Sequence, residues 1–124
     1  MATIDLNKDN FQQIVTDNDM VIVDFWASWC GPCKTFAPIF EKVSEQFPDM
    51  VFAKVETDQQ QELAGSFQIK SIPTLMIFRE QIIIFSQPGM LPEEHLVEIL
   101  GKASALDMDE IRKEVAKQNT EQAN

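Results

Sequence analysis

Apolar and polar positions along the chain change period several times, and each change marks an element. Residues 3 to 6 alternate weakly, as a short edge strand does, and from Asn7 to Asn18 the positions Phe11, Ile14 and Val15 predict an amphipathic helix, with Asn7 or Asp9 as its cap. Met20 to Trp26 is apolar at both alternating sets of positions apart from Asp24, the signature of a strand buried on both faces of a parallel sheet. Beyond Cys33, the stripe Phe36, Ala37, Ile39, Phe40, Val43 and Phe47 predicts a helix lying on that sheet, kinked where Pro38 removes a backbone bond to Lys34 and closed by Pro48. Met50 to Glu56 reads as the next parallel strand, reached by a right-handed crossover. A polar turn from Glu56 to Glu62 and a short helical piece with Leu63, Ala64 and Phe67 lead to a strand at Leu75 to Phe78. Pro73 at its mouth is either an edge device or a cis bond in a tight turn.

Ile82 to Ser86 pairs with that strand as an antiparallel partner, although the turn Arg79-Glu80-Gln81 lacks the glycine or asparagine that a two-residue hairpin favours. This apolar run is sticky if it forms an open edge. Glu93 to Lys102 is a further amphipathic helix with Leu96, Val97, Ile99 and Leu100 inward, and His95 falls on it as a surface residue.

Composition narrows the function classes. With 124 residues, 44% hydrophobic and 24% charged, the chain fits one globular domain with a real core. A formal charge of -10 and a pI near 4.4 disfavour nucleic acid and anionic membrane as partners. The N-terminus shows no charged segment followed by an apolar one, and no run approaches a membrane span, so a cytoplasmic location is expected.

The two cysteines, Cys30 and Cys33, stand between the buried strand and the amphipathic helix. There the first sulfur meets unpaired backbone N–H groups and the positive end of the helix dipole, which favour thiolate over thiol. Cys30 is the candidate nucleophile for disulfide exchange, and Cys33, one turn on, the candidate resolving thiol. Pro32 suits the first helical turn and Gly31 the tight entry. Structural zinc needs four ligands, and the chain has one histidine and no other cysteine, so zinc requires a second copy or borrowed carboxylates. Two inert buried thiols fit the Gly-Pro spacer poorly.

Asp24 shares its face of the strand with Ile22 and Trp26, where desolvation raises a carboxylate's pKa. It is read as a buried acid that exchanges protons with the Cys33 thiol, against the alternative that the sheet's twist exposes it or that it caps a local turn. Lys54, in the next strand, is either its neighbour across the sheet, which lowers that pKa, or a strand-end lysine reaching water. The sequence leaves open which effect wins.

Trp26-Ala27-Ser28-Trp29-Cys30-Gly31-Pro32-Cys33-Lys34, then Pro38, Ile72-Pro73-Thr74 and Gly89, closely resemble the thioredoxin family in motif, order and spacing, over roughly residues 3 to 103. The resemblance implies an α/β thioredoxin fold, a central mixed β-sheet flanked by α-helices on both faces. It implies that Cys30 is nucleophile, Cys33 resolving cysteine, Asp24 the buried acid and Lys54 its neighbour. Pro73 is then a cis-proline facing the dithiol, and Trp29, Gly31, Ile72, Gly89 and Met90 form a flat docking surface, with Pro32 between the cysteines. No bound cofactor is implied; the Cys30–Cys33 disulfide is recycled by a flavin-dependent thioredoxin reductase using NADPH, and the partners are protein disulfides and that reductase. Gly-Pro between the cysteines resembles the reducing members, whose potential lies around -270 mV, against about -120 mV for the oxidising type.

Glu80-Gln81 and Pro88 depart from the family pattern, the latter at the docking rim. Two other classes fit the same residues: a binding or chaperone-like module in which the dithiol is secondary, and an oxidase or isomerase of an exported compartment. The larger departure is the extension, residues 104–124, beyond a domain at 1–103. Asp107-Met108-Asp109-Glu110 resembles a capping box, Lys113 and Lys117 follow, and Met108, Ile111 and Val115 form a narrow apolar stripe. One extra helix over about 107–118 is expected, docked on the domain of a monomer or on a second copy, with a flexible tail at 119–124; the alternative is a frayed tail throughout.

Overall fold

In the computed structural model, which describes residues 2–122, the run Met20 to Trp26 becomes the central strand of a five-stranded sheet. The elements in chain order are β1 (Thr3–Asp5), α1 (Phe11–Asp17), β2 (Met20–Trp26), α2 (Gly31–Gln46), β3 (Val51–Glu56), α3 (Gln61–Ser66), β4 (Thr74–Arg79), β5 (Ile82–Pro88), α4 (Glu93–Ser104) and α5 (Met108–Gln122). Strand order is β1-β3-β2-β4-β5, with β1, β3 and β2 mutually parallel and β4 and β5 antiparallel to their neighbours.

Alternation along β2 divides the core into two layers. Ile22, with its partners Phe52 on β3 and Ile77 on β4, joins Phe36, Phe40 and Val43 of α2 and Leu96 and Leu100 of α4. Val21, Val23 and Phe25 point the other way, to Val15 of α1 and Leu63 and Ala64 of α3. Asp24 belongs to the first set, so its side chain lies on the face covered by the helix that begins at the cysteines. The acid and the helix that carries the dithiol thus lie on the same side of the sheet.

Several local expectations are refined. Asn7 does cap, but it caps the turn before α1: its Oδ1 accepts from the N–H groups of Asp9 and Asn10 at 2.8 and 2.9 Å, and the helix itself starts only at Phe11. The β4–β5 hairpin is closed by two residues with positive φ, Glu80 at 50° and Gln81 at 72°, the backbone of a type I′ turn made without glycine or asparagine. Tertiary contacts hold it: the Glu80 N–H donates to the Asp19 carbonyl at 2.7 Å, and Arg112 of α5 pairs with the Glu80 carboxylate.

The extension is helical for longer than its stripe suggests. Asp107 caps α5 by accepting from the N–H groups of Asp109 and Glu110, the N-cap half of a capping box, while the Glu110 carboxylate pairs with Lys113; Met108 is buried. The helix continues to Gln122, past the expected end near 118, so residues 119–122 are not a tail; the rest of that expectation falls on residues 123 and 124, outside those described. Arg79 ties the start of this region to β4, donating from Nη1 to the carbonyls of Ala103 and Ser104 at 2.9 and 3.1 Å and closing the C-terminus of α4.

Candidate active site

The chain leaves β2 at Trp26, turns through Ala27 to Trp29, and enters α2 with Cys30 as its N-cap. The turn is held by the Cys30 N–H donating to the Ala27 carbonyl at 3.2 Å. Pro32 occupies the first turn of α2. Cys30 and Cys33 are joined as a disulfide with Cα atoms 5.2 Å apart. The Cys33 N–H, one of the helix's unpaired donors, points at Cys30 Sγ from 3.2 Å. Both cysteines are buried, Cys30 at 5% exposed and Cys33 at 2%.

A second segment comes to meet this one. The Ile72–Pro73 peptide is cis, and the Ile72 carbonyl oxygen lies 3.8 Å from Cys30 Sγ. Ile72 also packs against the small cluster of Ala27, Cys30 and Cys33. The Pro73 carbonyl accepts from the Gly89 N–H at 2.8 Å, and Gly89 has φ of 102°, a conformation that favours glycine. Exposed Gly31, Pro32, Gly89 and Met90 therefore lie on loops and a helix start that converge on the dithiol. Trp29 is 67% exposed, yet its ring is held, because Nε1–H donates to Asp58 Oδ2 at 2.8 Å. Asp58 was not singled out by the sequence; it lies in a polar turn 29 residues away, with no local spacing to mark it.

Asp24 is fully buried, and neither of its oxygens has a hydrogen-bond partner. In register it lies between Lys54 on β3 and Leu75 on β4. The Lys54 ammonium sits over the Trp26 ring, 4.7 Å from its centroid, in a cation–π contact rather than in an ion pair with Asp24. The question left open by the sequence is thus answered: loss of water pushes the Asp24 carboxyl up from its ordinary 3.8 to about 7, and the Lys54 charge only partly opposes that. An acid with a pKa near neutrality holds and releases protons at neutral pH.

A dithiol at a helix N-terminus, faced by a cis-proline turn, is the working part of a dithiol–disulfide oxidoreductase. The comparisons agree with the geometry. The chain belongs to the thioredoxin family, whose model, described as Thioredoxin, matches residues 2–102. A relative from Streptomyces coelicolor bearing the name thioredoxin 2 is 58% identical over 120 residues, covering 97% of this chain and 90% of that protein. The thioredoxin of Bacillus subtilis is 38% identical over 88 residues, covering 70% of this chain and 85% of its own. Among solved structures, a mutant thioredoxin from Halobacterium salinarum superposes with a TM-score of 0.79 at 29% identity, covering 85% of this chain and 93% of that one. A complex of ferredoxin:thioredoxin reductase with thioredoxin f2 matches with a TM-score of 0.77 at 31% identity, over 84% of this chain and 96% of that one. The protein is a disulfide reductase that works by dithiol–disulfide exchange. No helix among the described residues is long and apolar enough to cross a membrane.

Proposed function

We propose that the protein is a cytoplasmic reductant of protein disulfides that serves cell redox homeostasis through its Cys-Gly-Pro-Cys site. The observation that carries this is the pairing of Cys30 Sγ with the Cys33 N–H at 3.2 Å, which stabilises a thiolate when the bond is reduced. The Cys30 thiolate attacks a substrate disulfide; a new bond joins it to one substrate sulfur, and the other leaves as a thiolate and takes up a proton. Cys33 then loses its proton to Asp24, attacks Cys30, and expels the second substrate thiol. Two electrons pass to the substrate and the Cys30–Cys33 bond is restored. Lys54 keeps the Asp24 pKa from rising further.

Trp29, Gly31, Pro32 and Met90 form the docking surface, and the backbone beside Ile72, Pro73 and Gly89 receives an extended substrate segment. The protein needs no bound cofactor. A partner reductase returns the disulfide to dithiol; a thioredoxin reductase using NADPH fits, and a thioredoxin f2 captured with a reductase supports that kind of partner. Burial of Met108 in its own chain favours a monomer, with residues 104–124 as an appendage to the thioredoxin domain.

Two measurements test the reading. Cys33→Ser should accumulate a mixed disulfide between Cys30 and a protein substrate, visible by mass spectrometry, and Cys30→Ser should abolish reduction. The potential of the couple, followed by fluorescence of Trp26 and Trp29, should fall near the family's reference value of about -270 mV; a value near -120 mV would replace the reductant with an oxidase.

A further inference from the structure

A second concavity continues from the docking region. The backbone that runs back from Ile72 through Ser71 and Lys70 borders an open cleft of about 190 Å³. Phe67, Ile69 and Pro88 line it with apolar surface, and Lys70, Ser71 and Ser86 with polar groups. Pro88 pairs in register with Thr74 and precedes Gly89, whose N–H holds the Pro73 carbonyl. The cleft is thus built from the same two segments that face Cys30. Its size is below the roughly 300–1,000 Å³ of sites for free small molecules, and suits one side chain of a longer ligand.

The charge at this place runs against that of the molecule. In a chain of net charge -10, Lys70 is an exposed cation that takes part in none of the ion pairs found among the described residues. Residues 71–73 bend rather than form a strand, so the reach is one of length: a segment running antiparallel from Ile72, at about 3.3 Å per residue, comes level with Lys70 about two residues after its cysteine.

Resting on the docking reading above, the geometry points to a specificity subsite in this cleft for an acidic side chain, glutamate foremost, placed two residues after the reacting cysteine of the substrate. The methylenes of the glutamate lie on Phe67, Ile69 and Pro88, and its carboxylate meets the Lys70 ammonium and the hydroxyls of Ser71 and Ser86. The preference is positional, since the overall negative charge repels acids placed elsewhere. Pro88, which departs from the family pattern, forms part of the cleft, so client choice is set here as well as at Trp29.

The test uses the reduced full chain and peptides of equal length, each with one cysteine disulfide-bonded to a chromophoric aromatic thiol. Glu, Gln or Lys occupies the second position after the cysteine, and in a further peptide the Glu stands two residues before it. The expected ratio of kcat/KM for Glu over Lys is about 3- to 10-fold, shrinking in high salt, as an exposed ion pair behaves. The displaced Glu should give no advantage, and Lys70→Glu should invert the ratio. A ratio that Lys70→Glu leaves unchanged, or a variant that slows all peptides equally, overturns the subsite alone. If the peptides react no faster than a peptide-free aromatic disulfide, the docking reading fails, and the subsite with it.

Discussion

Replacing Asp24 by asparagine removes a buried group whose ionisation the fold opposes, and the structure gives the sign and an upper bound. The carboxyl ionises at about 7 in the folded protein against an ordinary 3.8. Below pH about 4 it is protonated in folded and unfolded chains alike and contributes nothing to pH dependence. Between about 4 and about 7 the unfolded chain gives up its proton while the folded one keeps it, so stability falls as pH rises. Above about 7 both are ionised and the loss is constant. The interval of about 3 pH units, at 1.36 kcal/mol each, sets a ceiling of about 4 kcal/mol. Relaxation and water entry lower the realised value.

Asp24→Asn should therefore match the wild type near pH 4, to within the small constant difference between an amide and a neutral acid, and exceed it by up to about 4 kcal/mol near pH 8. Guanidinium unfolding of the oxidised proteins, where no thiol titrates, reads this as a midpoint difference that grows with pH to about 1 M. On the proton-transfer role proposed for Asp24, disulfide reduction by the variant should slow at the same time. A stability difference that is the same at every pH would refute the reasoning, since it would mean that Asp24 ionises at its ordinary value inside the fold.

Three further perturbations probe the surroundings. Met108→Ala should lower stability by about 2 kcal/mol, the low end for a buried methionine, while leaving the rate of disulfide reduction as it is; chemical denaturation beside a turnover assay checks both. Gln81→Gly relieves a left-handed residue with φ of 72° and should stabilise by about 1 kcal/mol, read from the same denaturation curves. Asp58→Ala frees the Trp29 ring, and should raise KM for a protein disulfide about threefold, change kcat less, and alter the tryptophan emission.

What the sequence made legible was local. Cys30 and Cys33 could be placed because a strand, a turn and a helix start all fall within a dozen residues, and Asp24 because one carboxylate interrupts an apolar run. The five strands, and the four helices that precede the extension, followed from the same periodicities. What the sequence withheld depends on contacts across the chain. Whether burial or Lys54 governs Asp24 turns on where one flexible side chain goes, and it goes to the Trp26 ring. Asp58 holds Trp29 across 29 residues of sequence. The hairpin adopts a glycine-type turn with Glu80-Gln81 because Asp19 and Arg112, from distant elements, hold Glu80 in place. That last contact also bears on the extension. Arg79 closes α4 and Arg112 ties α5 to the hairpin tip, at the ends of β4 and β5 remote from Thr74 and Pro88, which flank the dithiol. The added helix is anchored at the end of the sheet away from the cis-Pro73 turn that meets Cys30, so it leaves clear the residues proposed above for docking.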